Sequence, residues 1–294
     1  MIILLYQQKS VPLHLLFAFF IVNMDQDLVS VIMPTYNSSK FLAESIDCVL
    51  AQTYKNLELI ITDDCSTDGK TQEIIRSYAE KDSRVKAYFF KENQGPGCSR
   101  NKCIEMATGR YIAFCDSDDR WLKDKLERQI KFLNEKDGCL TFSSYWECNE
   151  QNEKIGIVVA PEKLTLTDLK HDNKIGCLTA LYDTTKFGKY YMPTIRKRQD
   201  WALFLTIMKD CKVAYAITEP LAYYRLTPGS VSRSKFKLVK YNAKVYQQVF
   251  GYSTLTSYAY LFLMFMPSYT YKVVSNKMKF REIASSLTKK FKQV

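Results

Sequence analysis

Apolar and polar positions follow two different periods along the first half of the chain. Short apolar runs rich in β-branched residues predict buried strands, and between them the apolar residues recur at helical spacing. The predicted strands are 28–34, 57–64, 84–90 and 110–114, and the predicted helices are 40–54, 70–81 and 97–109, the last ending at Gly109. This alternation is typical of an α/β, Rossmann-like fold in which helices cover both faces of a mostly parallel sheet.

The second half of the chain is less regular. Its clearest element is an amphipathic helix at 198–210, "RQDWALFLTIMKD". Strands are predicted at 139–150 and near the start of 177–188, a short helix within 161–176, and a pair of strands at 212–226.

Polar clusters follow each of the four predicted strands in the first half. They are "PTYN" at 34–37, "DD" at 63–64, "KENQGPG" at 91–97 and "DSDD" at 116–119. Each cluster alone could be a helix cap or a turn, because Asp, Asn and Ser favour those positions. The carboxyl ends of parallel strands meet at one edge of the sheet, where ligands bind. Four clusters at that edge therefore predict a binding site.

The acids of "FCDSDDRW" indicate what that site binds. Asp116, Asp118 and Asp119 fall within four positions, and such carboxylates suit Mg²⁺ or Mn²⁺. A divalent cation held there accepts phosphate oxygens and makes a diphosphate a better leaving group. The chain lacks a G-x-x-x-x-G-K-[ST] loop and a G-x-G-x-x-G turn, which argues against P-loop enzymes and dinucleotide oxidoreductases.

Longer segments resemble a known family. "VSVIMPTYNSSKFLAESIDCVLAQTYKNLELIITDDCSTDGK", "NQGPGCSRN" and "GRYIAFCDSDDRW" are similar to successive blocks of family 2 glycosyltransferases of the GT-A fold, over roughly 28–224. "MPTIRKRQDWALFLTIMK" and "EPLAYYRLTPGSVSRSK" resemble the bacterial branch that makes teichuronic acid and other cell-envelope polysaccharides. The resemblance implies an inverting, metal-dependent transfer from a UDP-sugar. The alternatives are a sugar-nucleotide pyrophosphorylase, whose "GGxGTR"-like loop is missing, and a catalytically inactive nucleotide-sugar-binding protein.

The resemblance also implies roles for individual residues. The implied nucleotide-sugar site consists of Pro34, Thr35, Tyr36, Asp63, Asp64, Asp116 and Arg225. Asp64 would accept a hydrogen bond from the uracil ring, with Asp63 beside it. Asp116 and Asp118 would form the D-x-D element and bind Mn²⁺ or Mg²⁺, with Asp116 also near the ribose. Asp119 would support them or cap the next helix.

Asp200 occupies the position of the family's catalytic base. Family members commonly have Glu-Asp there, whereas this chain has Gln199 before Asp200. One base acting in one displacement would invert the anomeric centre. Because Asp200 lies at the start of a predicted helix, N-capping is an alternative role. A loop with Arg225, Ser230 and Ser232 is expected either to close over the diphosphate or to be a plain connection.

Charge separates the last part of the chain from the rest. The net charge of +11 is carried by the segment from Ser232 to Val294, which has twelve basic residues and one acidic residue. We therefore expect an extension at 1–26, a catalytic domain at 27–231 and a basic helical tail at 232–294. The tail predicts contact with an anionic surface, and no motif for reading nucleic-acid bases accompanies it.

The tail's apolar stretch favours a helix lying on the inner face of the cytoplasmic membrane, where the acceptor would be a saccharide on a polyprenyl diphosphate. The alternative is a helical pair packed on the domain. The segment 1–23 is expected to be a translation start placed too early or a weak membrane anchor. Nine scattered cysteines without a CxxC pair indicate a reducing cytoplasm and no disulfide framework.

Overall fold

The computed structural model describes residues 27–227 and 235–291. The expected extension at 1–26, and Ser230 and Ser232 of the expected closing loop, lie outside those ranges. Within them, ten strands form one sheet. The strands are β1 (Val29–Thr35), β2 (Leu57–Asp63), β3 (Val85–Phe89), β4 (Tyr111–Phe114), β5 (Arg120–Trp121), β6 (Leu140–Cys148), β7 (Lys154–Val158), β8 (Lys163–Thr165), β9 (Leu181–Asp183) and β10 (Val213–Arg225).

The helices of the described ranges alternate with the strands in the first half and cluster at the end of the chain. They are α1 (Leu42–Leu50), α2 (Thr71–Lys81), α3 (Pro96–Met106), α4 (Lys125–Glu135), α5 (Leu166–His171), α6 (Thr184–Phe187), α7 (Gln199–Cys211), α8 (Lys235–Phe250), α9 (Thr254–Tyr260) and α10 (Met266–Phe291). A short 3₁₀ helix lies at Cys177–Thr179, and a π-helical turn at Leu261–Phe265 joins α9 to α10.

The sheet has the order β3-β2-β1-β4-β9-β6-β10-β5. Strands β1 to β4 are parallel to one another, and β10 is parallel to β6. The short strand β9 is antiparallel to both β4 and β6 and so joins the two parallel parts. The predicted mostly parallel sheet is confirmed, and its parallel strands end on one edge.

Both faces of the sheet are buried, as the apolar pattern predicts. Strand β1 is buried throughout: Val31 and Met33 pack into one apolar cluster, while Ile32 packs into the cluster on the other face. Each such side chain contributes about 1.5–3 kcal/mol through burial. The helices that cover these clusters hold the strand ends in place around the candidate site.

Two of the differences between the predicted and the observed elements have a clear physical reason. Helix α3 ends at Met106, before Gly109; a Cβ at Gly109 would lie 2.5 Å from the carbonyl oxygen of Leu28, so this glycine permits a close approach to the start of β1. The region predicted as two strands is the single strand β10, whose register with β6 shifts on both sides of Pro220. Proline lacks the N–H that a ladder requires, which explains the irregularity.

One pair of cysteines meets in space. Cys139 and Cys211 lie close together, with Cα atoms 6.0 Å apart, where β6 begins and α7 ends. An odd number of cysteines argues against a full framework but does not prevent a single pair from meeting in space.

The C-terminal helices pack against the domain on one side. Val245 and Tyr246 of α8 are buried, as are Leu261 and Phe265 of the π-helical turn. Among the described helices, none alone has the length and apolar content of a membrane span; only the bent pair Leu238–Phe250 and Thr254–Ile283, at 116°, has both together.

Candidate active site

The carboxyl end of β1 carries a buried hydroxyl without a partner. Thr35 pairs in register with Asp63 of β2 and is only 3% exposed. Its Oγ1 has no hydrogen-bond partner among the described residues, whereas Tyr36 is well exposed. A buried hydroxyl costs free energy unless a ligand or water satisfies it. Pro34 and Thr35 therefore end β1 at a position suited to binding.

The two acids at the end of β2 accept hydrogen bonds from different loops. The carboxylate of Asp63 accepts hydrogen bonds from the backbone N–H of Ser66 at 2.9 Å and from the Gln72 amide at 2.8 Å. The carboxylate of Asp64 accepts from the backbone N–H groups of Gln94 and Gly95, both at 2.8 Å. Both acids thus order loops at the sheet edge. Each carboxylate oxygen has a second lone pair, so binding of uracil by Asp64 stays a prediction.

The acids after β4 repel one another in a largely buried site. Burial, followed by the charge of Asp116, raises the pKa of Asp118 to about 6. Burial and the charges of Asp118 and Asp116 raise the pKa of Asp119 well above its ordinary value. A carboxyl group with a raised pKa gains from a nearby cation. The cluster is therefore an electrostatically costly arrangement that positive charge would relieve.

Asp119 supports the cluster from within. It is 1% exposed, and its Oδ1 accepts a hydrogen bond from the backbone N–H of Arg225 at 3.0 Å. It does not cap the following helix, whose N-cap position is Asp124. Of the two roles expected for Asp119, the supporting role agrees with these contacts.

Arg225 occupies a different position from the one predicted. It is the last residue of β10 and is 1% exposed, so it is not part of a flexible loop that closes over a ligand. Its Nε donates to the Asp118 carbonyl oxygen at 2.9 Å, and its Nη2 donates to Glu44 at 2.7 Å. Its Nη1 donates to the Asn152 side chain at 2.6 Å. These contacts make Arg225 a support for the acidic loop and leave no free guanidinium group for a diphosphate.

Arg100 is a site residue that the sequence reasoning missed. Its Nη2 donates to Asp116 Oδ1 at 2.6 Å, and its side chain is 13% exposed. Burial lowers the pKa of Arg100, but the neighbouring Asp116 carboxylate outweighs it and raises the pKa. Arg100 therefore neutralises Asp116 from α3, the helix whose Gly97 lies against Gln199, the residue before the candidate base. The signal was its place in "GCSRN", one turn into a helix that starts at the binding edge.

Asp200 lies in the first turn of α7, and its neighbour Gln199 lies against the start of α3. The N-cap position of α7 is Arg198, and no side-chain hydrogen bond caps the helix, so Asp200 is not its capping residue. A Cβ at Gly97 would lie 2.3 Å from Gln199 Nε2. A methyl group at position 97 would therefore have to displace the end of the Gln199 side chain, next to Asp200.

Comparison with known proteins decides the family. The model of the "Glycosyl transferase family 2" family matches residues 30–180, which is half of the chain. The chain is a family 2 glycosyltransferase. This glycosyltransferase is 41% identical over 223 residues to TuaG of Bacillus subtilis (strain 168), a protein assigned to teichuronic acid biosynthesis as a glycosyltransferase; the match covers 76% of this chain and 88% of TuaG.

A second relative has a more specific name. The glycosyltransferase is 38% identical over 218 residues to WfgD of Escherichia coli, named a UDP-Glc:alpha-D-GlcNAc-diphosphoundecaprenol beta-1,3-glucosyltransferase. That match covers 74% of this chain and 84% of WfgD.

Solved structures confirm the GT-A fold. The S. aureus protein TarS (residues 1–349), in complex with UDP-GlcNAc, superposes with a TM-score of 0.61 at 22% identity, covering 78% of this chain and 69% of that one. The Pyrobaculum calidifontis mannosyltransferase PcManGT, in complex with GDP-Man and Mn²⁺, superposes with a TM-score of 0.57 at 17% identity, covering 89% of this chain and 80% of that one. At these identities the likeness concerns the fold.

The acidic loop provides some, but not all, of the ligands that a divalent cation needs. Across 27–227 and 235–291, no three His, Cys, Asp or Glu side chains meet as a metal site. Asp116 and Asp118 nevertheless offer carboxylate oxygens. The raised pKa of Asp118 indicates that a nearby positive charge would stabilise its ionised form. Mg²⁺ is commonly held by one or two carboxylates together with phosphate oxygens of the substrate. The residues present therefore fit a metal that is completed by a diphosphate.

Proposed function

We propose that this glycosyltransferase moves a sugar from a UDP-sugar to a hydroxyl group of a saccharide linked to polyprenyl diphosphate, with inversion at the anomeric carbon. The transfer belongs to the synthesis of a cell-envelope polysaccharide, on the cytoplasmic face of the membrane. The observation that carries the proposal is the arrangement at the ligand-binding edge: Arg100 of α3 pairs with Asp116, and the start of the same helix lies against Gln199, the residue before Asp200. The names of TuaG and WfgD support the donor, acceptor and product.

The donor lies, in this proposal, across the ends of β1, β2 and β4. Thr35, with its unpartnered hydroxyl, and the exposed ring of Tyr36 contact the nucleoside. Asp64 keeps lone pairs for the uracil N–H, and Asp63 orders the adjoining loop. Mn²⁺ or Mg²⁺ bound to Asp118 and Asp116 would neutralise the charge that develops on the leaving diphosphate. Arg100 holds the Asp116 carboxylate in place for this role.

The chemical step needs one base. A carboxylate oxygen of Asp200 takes the proton from the acceptor hydroxyl as that oxygen attacks the anomeric carbon. The new carbon–oxygen bond forms on the face opposite the diphosphate, whose bond to carbon breaks and whose oxygen keeps the electron pair. A single displacement of this kind inverts the anomeric centre. Asp200 meets the requirement because it is partly exposed and is not consumed as a helix cap.

Replacing the base tests the proposal. Asp200→Asn keeps the size of the side chain and removes its basicity, so transfer should fall by about 10²-fold or more, the range expected for loss of a general base. Binding of UDP with Mn²⁺, measured by calorimetry, should change by less than about threefold. Gln199→Asn, which alters the neighbouring amide, is the matched control. Equal loss of binding and transfer in Asp200→Asn would contradict the assignment.

A panel of UDP-sugars tests the donor. Release of UDP in the presence of a GlcNAc-diphosphate-lipid acceptor and Mn²⁺ should occur with at least one UDP-sugar and should stop when the acceptor is omitted. Formation of a nucleotide sugar from a sugar phosphate and UTP would instead show a pyrophosphorylase, and binding without any turnover would show an inactive binding protein.

A further inference from the structure

An apolar surface remains uncovered on the C-terminal helices. Eight large apolar side chains between α9 and the first half of α10 are 37–83% exposed. We call them the apolar face: Leu255, Phe262, Leu263, Met264, Met266, Tyr271, Val274 and Met278. Contiguous exposed apolar residues of this kind mark interaction surfaces in proteins.

The π-helical turn creates the most prominent part of this face. Leu261 and Phe265 at its two ends are 0% and 2% exposed, and the three residues between them point outward. The Phe265 ring packs on the Trp201 ring with centroids 5.1 Å apart. The turn is therefore anchored to the catalytic domain by its ends and presents Phe262, Leu263 and Met264 on its outer side.

Further contacts fix the start of α10 to the domain. Lys272 Nζ donates to Asp172 at 2.8 Å and to the Asn173 carbonyl oxygen at 2.7 Å. The Asn276 side chain accepts a hydrogen bond from the backbone N–H of Val159 at 3.3 Å. The apolar face is thus held in one orientation relative to the sheet.

Charge selects the partner for this face. Lys277, Lys279 and Arg281 are exposed beside it, and Glu282 is the one acidic residue between 254 and 283. The charge of Lys272 is already paired with Asp172. An apolar surface with a cationic border matches the interface of an anionic bilayer, in which apolar side chains enter the acyl boundary and basic ones meet the headgroups.

We propose that the apolar face docks on an anionic lipid bilayer, with Phe262, Leu263 and Met264 entering the interface. Docking fits better than crossing, because Val245 and Tyr246 of α8 are buried and cannot face lipid. A second copy of the chain fits less well, because two cationic borders would meet.

The docked orientation has a consequence for the acceptor, and this step rests on the proposed function. Phe265 packs on Trp201, the residue that follows the candidate base Asp200. The membrane contact and the base are therefore joined through one packed aromatic pair. Docking would therefore hold the base in a fixed position relative to the bilayer that carries the acceptor lipid.

Vesicle sedimentation of the full chain tests the docking. We expect binding to vesicles of phosphatidylglycerol and phosphatidylcholine, and weaker binding to phosphatidylcholine alone. Phe262→Ser with Leu263→Ser should lower the partition coefficient by about tenfold or more, because binding scales with the buried apolar area. Phe187→Ser, which changes an equally exposed ring on α6, is the matched control and should bind as the parent does. Lys277→Gln with Lys279→Gln should weaken binding to the anionic vesicles only.

Three results would overturn the proposal. The first is unchanged vesicle binding by the Phe262→Ser, Leu263→Ser variant, and the second is an equal loss of binding in the Phe187→Ser control. The third is that the parent does not bind vesicles but forms a dimer in light scattering, and that the Phe262→Ser, Leu263→Ser variant does not form this dimer. UDP-sugar binding, measured without vesicles, is read separately. If the protein binds vesicles but no UDP-sugar, the proposed function is wrong and the docking proposal stands. If it binds a UDP-sugar but not vesicles, only the docking proposal is wrong.

Discussion

Replacing Arg225 by Met tests how the acidic loop is held. The change removes the Nε bond to the Asp118 carbonyl oxygen and the bonds to Glu44 and Asn152, while the backbone N–H that Asp119 uses remains. The guanidinium group also stacks over the Phe41 ring, 4.1 Å from its centroid. Methionine keeps much of this apolar packing, so the experiment isolates the charge and its hydrogen bonds.

The cost follows from burial. Removing one partner of a buried ion pair destabilises a protein by about 3–5 kcal/mol. Glu44 is 37% exposed and keeps a second partner, Arg120, at 3.0 Å, which places the expected loss near the lower limit, about 3 kcal/mol. For a chain of this size each kcal/mol corresponds to roughly 2–4 °C, so the melting temperature should fall by roughly 6–12 °C.

Thermal unfolding followed by circular dichroism at pH 7.5, without divalent cations, measures the effect. Arg128→Met is the control, because that guanidinium is 36% exposed and lies 3.7 Å from Asp124 and 3.5 Å from Glu219. Exposed pairs contribute about 0–1 kcal/mol, so this variant should melt within about 4 °C of the parent. If Arg225→Met melts no lower than Arg128→Met, the view of Arg225 as the support of the acidic loop is wrong.

Three further changes have defined outcomes. Gly97→Ala should slow UDP release from a UDP-sugar, because the new methyl group displaces Gln199 beside the base, and adding Gln199→Ala should restore the rate; no recovery would contradict the steric account. Lys125 is buried, and burial lowers its pKa from 10.5 to about 7. Its buried positive charge therefore lowers the free energy of unfolding by the full amount below pH 7 and no longer lowers it above pH 10.5, where the amine is neutral in both states. Lys125→Met should therefore stabilise the protein at pH 7, by at most about 5 kcal/mol, and lose that advantage by pH 10.5 in chemical denaturation; an equal gain at both values would refute this. The raised pKa of Asp118 makes the folded metal-free protein lose stability as pH rises from about 4 to 6. Asp118→Asn should make that loss smaller, the remainder being due to Asp119, whose pKa is also raised, and should weaken Mn²⁺-dependent UDP binding in calorimetry; a stability curve that falls as steeply as the parent's through that window would count against it.

The donor half of the site was predictable because it depends on periodicity. Apolar runs fix which segments are parallel strands, and the ends of parallel strands share an edge. Asp63, Asp64 and Asp116 consequently lie at strand ends, as the pattern predicted. The family and fold predictions are confirmed on the same residues.

Contacts between distant segments were not predictable from one sequence. Arg225 follows the acidic loop by more than 100 residues, and only the pairing of β10 with β5 and β6 brings it beneath Asp118. The pairing of Arg100 with Asp116 likewise depends on how α3 packs. Short apolar segments such as β9 carry too little periodic signal to reveal that they join two parallel parts of a sheet.

The bonds of Asp64 to the N–H groups of Gln94 and Gly95 also bear on motion. They connect the end of β2 to the loop that precedes α3. The backbone N–H of Asp64 in turn donates a hydrogen bond to the Thr35 carbonyl oxygen at 2.9 Å. Three successive strand ends thus form one hydrogen-bonded unit. In native-state hydrogen–deuterium exchange, these loop amides should be protected almost as strongly as those inside β1, so that rearrangement during turnover falls to the opposite wall of the cleft.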